Sequence, residues 1–286
     1  MKVVNTKSEL IELLEEAKKT GKTVGFVPTM GALHEGHISL LTECKRHCDV
    51  SVLSIFVNPT QFNDPADLER YPRTPEKDFS LLEDNGCNIV FYPSVEEIYP
   101  EQDTRKFDFG YIESIMEGAK RPGHFNGVAQ VVSKLFYIVK PDKAFFGMKD
   151  FQQIAVIKKM VEILKMPIEI VECPIIREKS GLALSSRNKL LSDEHKKNAP
   201  HIHSILKKAT NLATEIPTSE LKEFIKKEID KNSYLETEYV EIVDAETLRV
   251  ITEPYPETKT VVCVAVYAGK IRLIDNIAIN PSNAQH

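Results

Sequence analysis

No run of this chain approaches the ~20 consecutive apolar residues that a membrane-spanning helix needs. No membrane association is therefore expected. The opening residues, Met1-Lys2-Val3-Val4-Asn5, lack the apolar core of a secretory signal, and a cytoplasmic location is the expectation. Positive charge is not in excess either. The 37 Lys and Arg against 42 Asp and Glu leave a formal net charge of −5. A general nucleic-acid binder carries a basic footprint, so nucleic acid is not an expected partner, although a local basic pocket for a small anion stays open. The five cysteines, Cys44, Cys48, Cys87, Cys173 and Cys263, are an odd set without the rhythm of paired bridges. A reduced chain accounts for them most simply. Cys44, His47 and Cys48 share helical spacing, but no fourth ligand follows nearby, so buried small apolar cysteines explain them better than zinc. Internal repeats and low-complexity segments are missing as well.

What is present is a 286-residue chain that is 42% hydrophobic, enough for one large or two medium domains with a sizeable core. Up to about Cys173, strand-like and helix-like segments alternate. Thr23–Val27 and Val50–Val57 read as buried parallel strands, Asn88–Tyr92, Lys143–Phe146 and Ile168–Cys173 as shorter ones. Between them lie helical patterns at Leu10–Lys19, at Gly127–Val139 and at Phe151–Lys165, and one opened by Thr74 as cap with Pro75 at its first position and stopping by Gly86. Such alternation predicts a doubly wound parallel sheet. After Pro174 the pattern changes to a polar helix over Ser192–Leu212 interrupted by Pro200, a helix over Ser219–Lys231, and strands at Glu238–Val243, Thr260–Tyr267 and Ile271–Ile279. Ala268-Gly269-Lys270 would turn the last two into a hairpin. The expected architecture is an α/β Rossmann-like domain over residues 1–176, followed by a smaller α+β domain with an antiparallel sheet over 177–286.

The chemistry concentrates where strands end. Thr29-Met30-Gly31-Ala32-Leu33-His34-Glu35-Gly36-His37 links the first buried strand to a helical pattern that begins at Ile38. A helix N-terminus attracts phosphate through its unpaired N–H groups and dipole. Two imidazoles three residues apart lie near one face of its first turn and suit a reaction in which phosphate gains charge. Two surface histidines at a helix cap would give the same string. Asn58-Pro59-Thr60-Gln61-Phe62 follows the second strand, and its amides suit a ligand bearing hydroxyls and a carboxylate; Asn-Pro is equally a common turn opener.

Gly147-Met148-Lys149-Asp150-Phe151-Gln152-Gln153 also follows a strand and opens a helix. There Lys149 could neutralise phosphate, and Asp150 could cap the helix or accept from a ribose hydroxyl. Gln153 shares Asp150's face, whereas Gln152 points elsewhere. Leu184-Ser185-Ser186-Arg187-Asn188 places two hydroxyls and a guanidinium in a glycine-flanked loop at the domain boundary, suited to phosphate and to closing over a nucleotide. Lys120–Phe125 and Arg70–Arg73 are basic segments that read more simply as ordinary loops.

The HxGH turn and the Ser-Ser-Arg loop together resemble the two signatures of the nucleotidylyltransferase superfamily that includes class I aminoacyl-tRNA synthetases. In that superfamily they clamp ATP from two sides. More specifically, seven segments in order resemble the pantothenate synthetase (pantoate–β-alanine ligase) family: Pro28–His37, Phe56–Phe62, Tyr71–Thr74, Glu117–Phe125, Phe146–Asp150 with Gln152-Gln153, Ser185–Asn188 and Arg272–Asn276. The resemblance implies ATP-dependent adenylation of (R)-pantoate with Mg²⁺, then attack by β-alanine to give pantothenate and AMP.

It further implies that His34 and His37 bind the ATP phosphates, with His37 the proton donor to the leaving pyrophosphate. Met30, Gly31, Ala32, Leu33, Glu35, Gly36, Ile176 and Leu184 would line the nucleotide site with Gly147, Met148 and Asp150, the glycine and the aspartate near the ribose. Lys149, Ser185, Ser186 and Arg187 would hold phosphates. Gln61 and Gln153 would grip pantoate, with Asn58 beside them. Homodimers are typical of the family, and the motifs name no Mg²⁺ ligand.

Two departures stand out. Glu178-Lys179-Ser180-Gly181 replaces the Glu-Ala-Asp-Gly that members often carry, adding a positive charge near the mobile loop. Met148 occupies a position that is usually polar. A nucleotidylyltransferase with another acceptor would share the HxGH turn but not the Asn58/Gln61/Gln153 amides. A non-catalytic nucleotide-binding module would have no need of an intact set of His34, His37, Lys149 and Arg187. The activated carboxylate needs mainly positioning and charge stabilisation from the protein, and no Ser or Cys nucleophile with an adjacent base is evident.

Overall fold

A computed structural model describes residues 1–213, 215–252 and 259–279. The chain divides into two compact units, Met1–Met148 with Gln152–Pro174, and Lys149–Phe151 with Ile175–His286. Three residues of the motif after the fifth strand are thus grouped with the later unit.

The first unit begins with β1 (Lys2–Val4), α1 (Lys7–Lys19), β2 (Val24–Thr29), α2 (Glu35–His47) and β3 (Val50–Ile55). Helices α3 (Pro65–Arg70) and α4 (Pro75–Asp84) lead to β4 (Ile89–Phe91). Then α5 (Val95–Ile98), α6 (Met116–Lys120) and α7 (His124–Val139) precede β5 (Lys143–Gly147), α8 (Phe151–Ile163) and β6 (Glu169–Cys173). The six strands pair in parallel in the order β1-β4-β3-β2-β5-β6. This is the doubly wound sheet the alternation predicts, with its topological switch between β2 and β5. The edge strand β1 is not evident from the sequence, since three residues give too short a pattern.

The near-continuous apolar strands follow from burial on both faces. Along β2, Phe26 joins a core with Leu10 and Leu14 of α1, Phe136 of α7 and Ile157 of α8. Its neighbour Val27 points the other way, into a core with Leu41 and Cys44 of α2, Leu53 and Leu82. Four cysteines, Cys44, Cys48, Cys87 and Cys173, belong to this second core, and all five in the chain are buried. Burial raises the Cys44 thiol far above its ordinary range and pushes Cys87 and Cys173 up to about 11. They pack as small apolar groups, not as thiolates.

The second unit contains α9 (Asp193–Asn198), α10 (His201–Leu212), α11 (Thr218–Asp230), β7 (Leu235–Asp244), β8 (Thr260–Ala268) and β9 (Ile271–Ile279). Pro200 lacks an N–H and so separates α9 from α10, as expected. The strands form an antiparallel β7-β8-β9 sheet whose last hairpin turns at Gly269, at φ +62. Ile202, Ile205 and Leu206 of α10 and Leu221 and Ile225 of α11 cover it through Ile242, Val262 and Val264. Among the described residues, no helix is long and apolar enough to cross a membrane.

Candidate active site

The sheet order sets the site. β2 is flanked by β3 and β5, so the carboxyl ends of these three strands lie side by side at the edge where open α/β sheets bind ligands. β2 and β5 pair only at Gly25–Lys143 and Phe26–Ala144. The remaining residues of both strands, up to Thr29 and Gly147, run on without pairing each other at the switch point.

The turn after β2 is held rigidly. Gly31 has φ +79, and a Cβ there would lie 2.9 Å from Ile55 Cγ2, so glycine is required on both counts. Ala32 follows at φ +50. The Thr29 hydroxyl donates to the Ser54 carbonyl at 2.7 Å and accepts from Gly31 N–H at 3.2 Å. The decisive contact is remote in sequence. Asp78 of α4, only 2% exposed, accepts Ala32 N–H and Leu33 N–H at 2.8 Å each, one on each carboxylate oxygen. The expected Thr74 cap proves different: Thr74 occupies the position, but makes no side-chain cap and instead donates to Asp78 at 3.1 Å.

α2 starts three residues before the apolar pattern, because the histidines themselves cap it. His34 Nδ1 accepts Gly36 N–H at 3.1 Å, and His37 Nδ1 accepts His34 N–H at 3.3 Å, a reciprocal box. With Nδ1 accepting, each neutral ring carries its proton on Nε2. The rings stand 4.1 Å apart between centroids. One local geometry thus does two things: it satisfies helix N–H groups and fixes which nitrogen of each ring donates. Glu35 and Gly36 complete the first turn, and Met30 and Leu33 lie on the turn before it.

The amides after β3 divide into two kinds. Gln61 is half-buried, and its Nε2 lies 3.4 Å from Met30 Sδ, against the turn just described. Asn58 is 1% exposed and its amide is engaged within the protein. Its Nδ2 donates to Gln61 Oε1 and to the Gly127 carbonyl at 3.2 Å each. Its Oδ1 accepts from Thr60 and from Tyr99 Oη, the latter at 2.9 Å. Asn58 is thus adjacent to Gln61, with its amide turned inward onto protein groups. Gly127 of α7 sits so close that a Cβ would overlap the Thr60 carbonyl.

Of the motif after β5, Gly147 closes the strand. Met148 packs against the first core, which accounts for its apolar character. Gln152 does point elsewhere. At 4% exposure it donates to the Ile112 and Ile115 carbonyls at 2.6 and 3.0 Å and accepts Glu117 N–H at 2.9 Å. Gln153, next along α8, is half-buried.

In the second unit, the Lys149 ammonium lies 3.2 Å from the Asp150 carboxylate. Ser185 begins a 3-10 turn, Ser186–Leu190, by accepting Arg187 N–H at 3.3 Å, and Ser186 is 6% exposed. Ile176 and Leu184 face each other through a backbone hydrogen bond of 3.0 Å. Lys179 and Ser180 are exposed beside Gly181, so the added charge sits at a turn tip.

Sequence reading assigns no role to Asp78, His124 or Tyr99. His124 reads as part of a solvated loop, yet it is 5% exposed, 2.8 Å from the Gln61 carbonyl through Nδ1 and 3.0 Å from Arg121 through Nε2. Burial raises the Tyr99 phenol, so it remains a donor to Asn58. Nothing in a linear pattern marks these partners, which lie 41 to 63 residues from the groups they hold.

The chain resembles known proteins over nearly its whole length. The family described as pantoate-beta-alanine ligase matches residues 2–278. A pantothenate synthetase of Porphyromonas gingivalis strain W83 is 53% identical over 277 residues, covering 97% of this chain and 99% of that protein. The crystal structure of pantothenate synthetase from Thermus thermophilus superposes with a TM-score of 0.91 at 40% identity, over 98% of this chain and all of that one. A pantoate-beta-alanine ligase from Francisella tularensis, crystallised with beta-gamma ATP and beta-alanine, gives a TM-score of 0.82 at 36% identity over 97% of each chain. The rigid HxGH turn, the amide beside it and a match over almost the whole length lead to one conclusion: this chain belongs to the pantoate–β-alanine ligase family.

Proposed function

We infer that this chain joins (R)-pantoate to β-alanine using ATP, through a pantoyl adenylate, and releases AMP and pyrophosphate. The observation that carries this reading is the 3.4 Å approach of the Gln61 amide to Met30. An acid-binding amide sits on the nucleotide turn, so a carboxylate held by Gln61 and Gln153 would lie against the α-phosphate.

A carboxylate is a poor acyl donor because its leaving group would be oxide. In the first step its oxygen bonds the α-phosphorus as the bond to pyrophosphate breaks. In the second, the β-alanine amine bonds the acyl carbon and AMP departs. Charge grows on the leaving phosphates in the first step. The donors suited to it are the Nε2–H groups of His34 and His37, the N-terminal dipole of α2, the Lys149 ammonium and the Arg187 fork. Ser185 and Ser186 add hydroxyl donors, and Gly147 and Asp150 serve the ribose. Asn58, Tyr99 and His124 keep Gln61 in place.

Mg²⁺ fits as a companion of the triphosphate. Among the described residues no group of three His, Cys, Asp or Glu could hold a metal ion, and Mg²⁺ commonly keeps its waters and binds mainly through substrate phosphates. A homodimer in the cytoplasm completes the proposal. The test is exchange of radiolabelled pyrophosphate into ATP, with and without pantoate. Exchange that needs pantoate but not β-alanine is expected. Equal exchange without pantoate would point instead to a nucleotidylyltransferase with another acceptor.

A further inference from the structure

We propose that Asp275 and Asn276, adjacent on β9, are positioning residues that set the phosphate-binding groups of the second unit. The proposal rests on the reading of Lys149 and Arg187 given above. The segment Arg272–Asn276 has no role in that reading, yet it makes two consecutive buried contacts to the elements that carry those groups.

Asp275 is 6% exposed and binds Arg177 with both oxygens, Nη1 to Oδ2 at 2.7 Å and Nη2 to Oδ1 at 2.8 Å. The same guanidinium donates to the Gly181 carbonyl at 3.2 Å and to the Asn276 carbonyl at 3.3 Å. Arg177 and Ala183 form an antiparallel bridge, and Glu178 N–H to the Leu182 carbonyl at 2.8 Å closes the small hairpin between them. Ser185 follows two residues later. One bidentate pair therefore ties the base and tip of this hairpin to β9, which also packs beside the 186–190 turn. The next residue, Asn276, is 5% exposed and donates from Nδ2 to the Lys149 carbonyl at 3.1 Å. Two neighbours on one hydrogen-bonded strand thus hold the backbone of Lys149 and the hairpin leading into Arg187. A planar fork meeting a carboxylate constrains direction as well as distance, which suits a part whose task is to hold a loop.

The strand supplies its own control. Near the start of β9, Arg272 pairs with Glu238 of β7 at 2.6 Å, the arginine covered like Arg177 but the glutamate 18% exposed against 6% for Asp275. Loss of that pair should cost some stability without loosening the loop. The experiment measures kcat and KM for pantoate-dependent pyrophosphate exchange, below each variant's melting midpoint. Asp275→Asn and Asn276→Ala should lower kcat by about 10- to 100-fold, as expected for ångström-scale misplacement, with pantoate KM within about twofold. Glu238→Gln should melt earlier than wild type but keep its kcat. Equal kcat losses in Asp275→Asn and Glu238→Gln, or a normal kcat in Asn276→Ala, would overturn the proposal. Where Asp275→Asn does not fold, Asn276→Ala alone decides. Lys149→Ala and Arg187→Ala test the underlying reading separately: normal exchange in both would refute that reading, whatever β9 does.

Discussion

Asp78→Asn isolates the anchor of the turn after β2. The carboxylate is 2% exposed and accepts two backbone N–H groups at 2.8 Å and the Thr74 hydroxyl at 3.1 Å. Asparagine is nearly isosteric but has one acceptor where two are needed, and its NH₂ would face an N–H. One hydrogen bond to a charged acceptor disappears, worth about 1.5–3 kcal/mol, and a buried N–H is left without a partner at a cost of about 1–3 kcal/mol. These describe one loss from two sides, so the expected destabilisation is about 2–3 kcal/mol. Relaxation would move Ala32 and Leu33, the residues before His34, and a shift of about 1 Å can cost 10²-fold in rate. Urea unfolding should show a lower midpoint, and pyrophosphate exchange should lose kcat by about 10- to 100-fold with less change in pantoate KM. Wild-type stability together with wild-type kcat would refute the idea that Asp78 holds the turn.

Three further outcomes are expected. His37→Ala should lower the adenylation kcat by about 10²–10³, the usual loss for a donor aimed at developing charge; an almost normal kcat would leave His37 only its cap. Gln61→Ala and Gln153→Ala should each weaken pantoate use by about 0.5–1.5 kcal/mol, with ATP binding little changed and non-additive effects, since both would touch one small ligand. Additive effects, or a defect in ATP binding, would misplace the acid pocket. His203 of α10 packs beside Gly181, and burial, then Arg177, depresses its pKa below 6.5 while Asp275 opposes the shift. The unfolded chain therefore binds the proton more readily, so this contribution is complete above about pH 6.5 and is lost as pH falls through the lower folded value. Melting temperature should decline less steeply below about pH 6.5 in His203→Gln than in wild type; parallel curves would exclude that linkage.

Much of the architecture is legible in the sequence because its causes are local. Apolar β-branched runs mark strands buried on both faces, Pro200 must break a helix, and Gly269 marks a turn. The HxGH string can be placed at a strand-to-helix junction from the change of period alone. The carboxyl-edge location of Gln61 and Gln153 then depends on strand order, which a linear pattern does not contain; β3, β2 and β5 being neighbours is a property of the assembled sheet.

By itself, then, the sequence determined the element types, the doubly wound class and the residues able to bind phosphate and a carboxylate, since each follows from side-chain chemistry within a few positions. Tertiary structure decided which polar residues are tied into the protein's own backbone. Asn58 looks like a pocket amide but is turned inward onto a buried carbonyl, whereas Asp78 looks like a helix-surface acid but holds the turn. The reason is that an unpaired N–H or C=O away from water is costly. Buried polar side chains are therefore claimed by whatever backbone groups the fold leaves unpaired, and those groups come from elements distant along the chain.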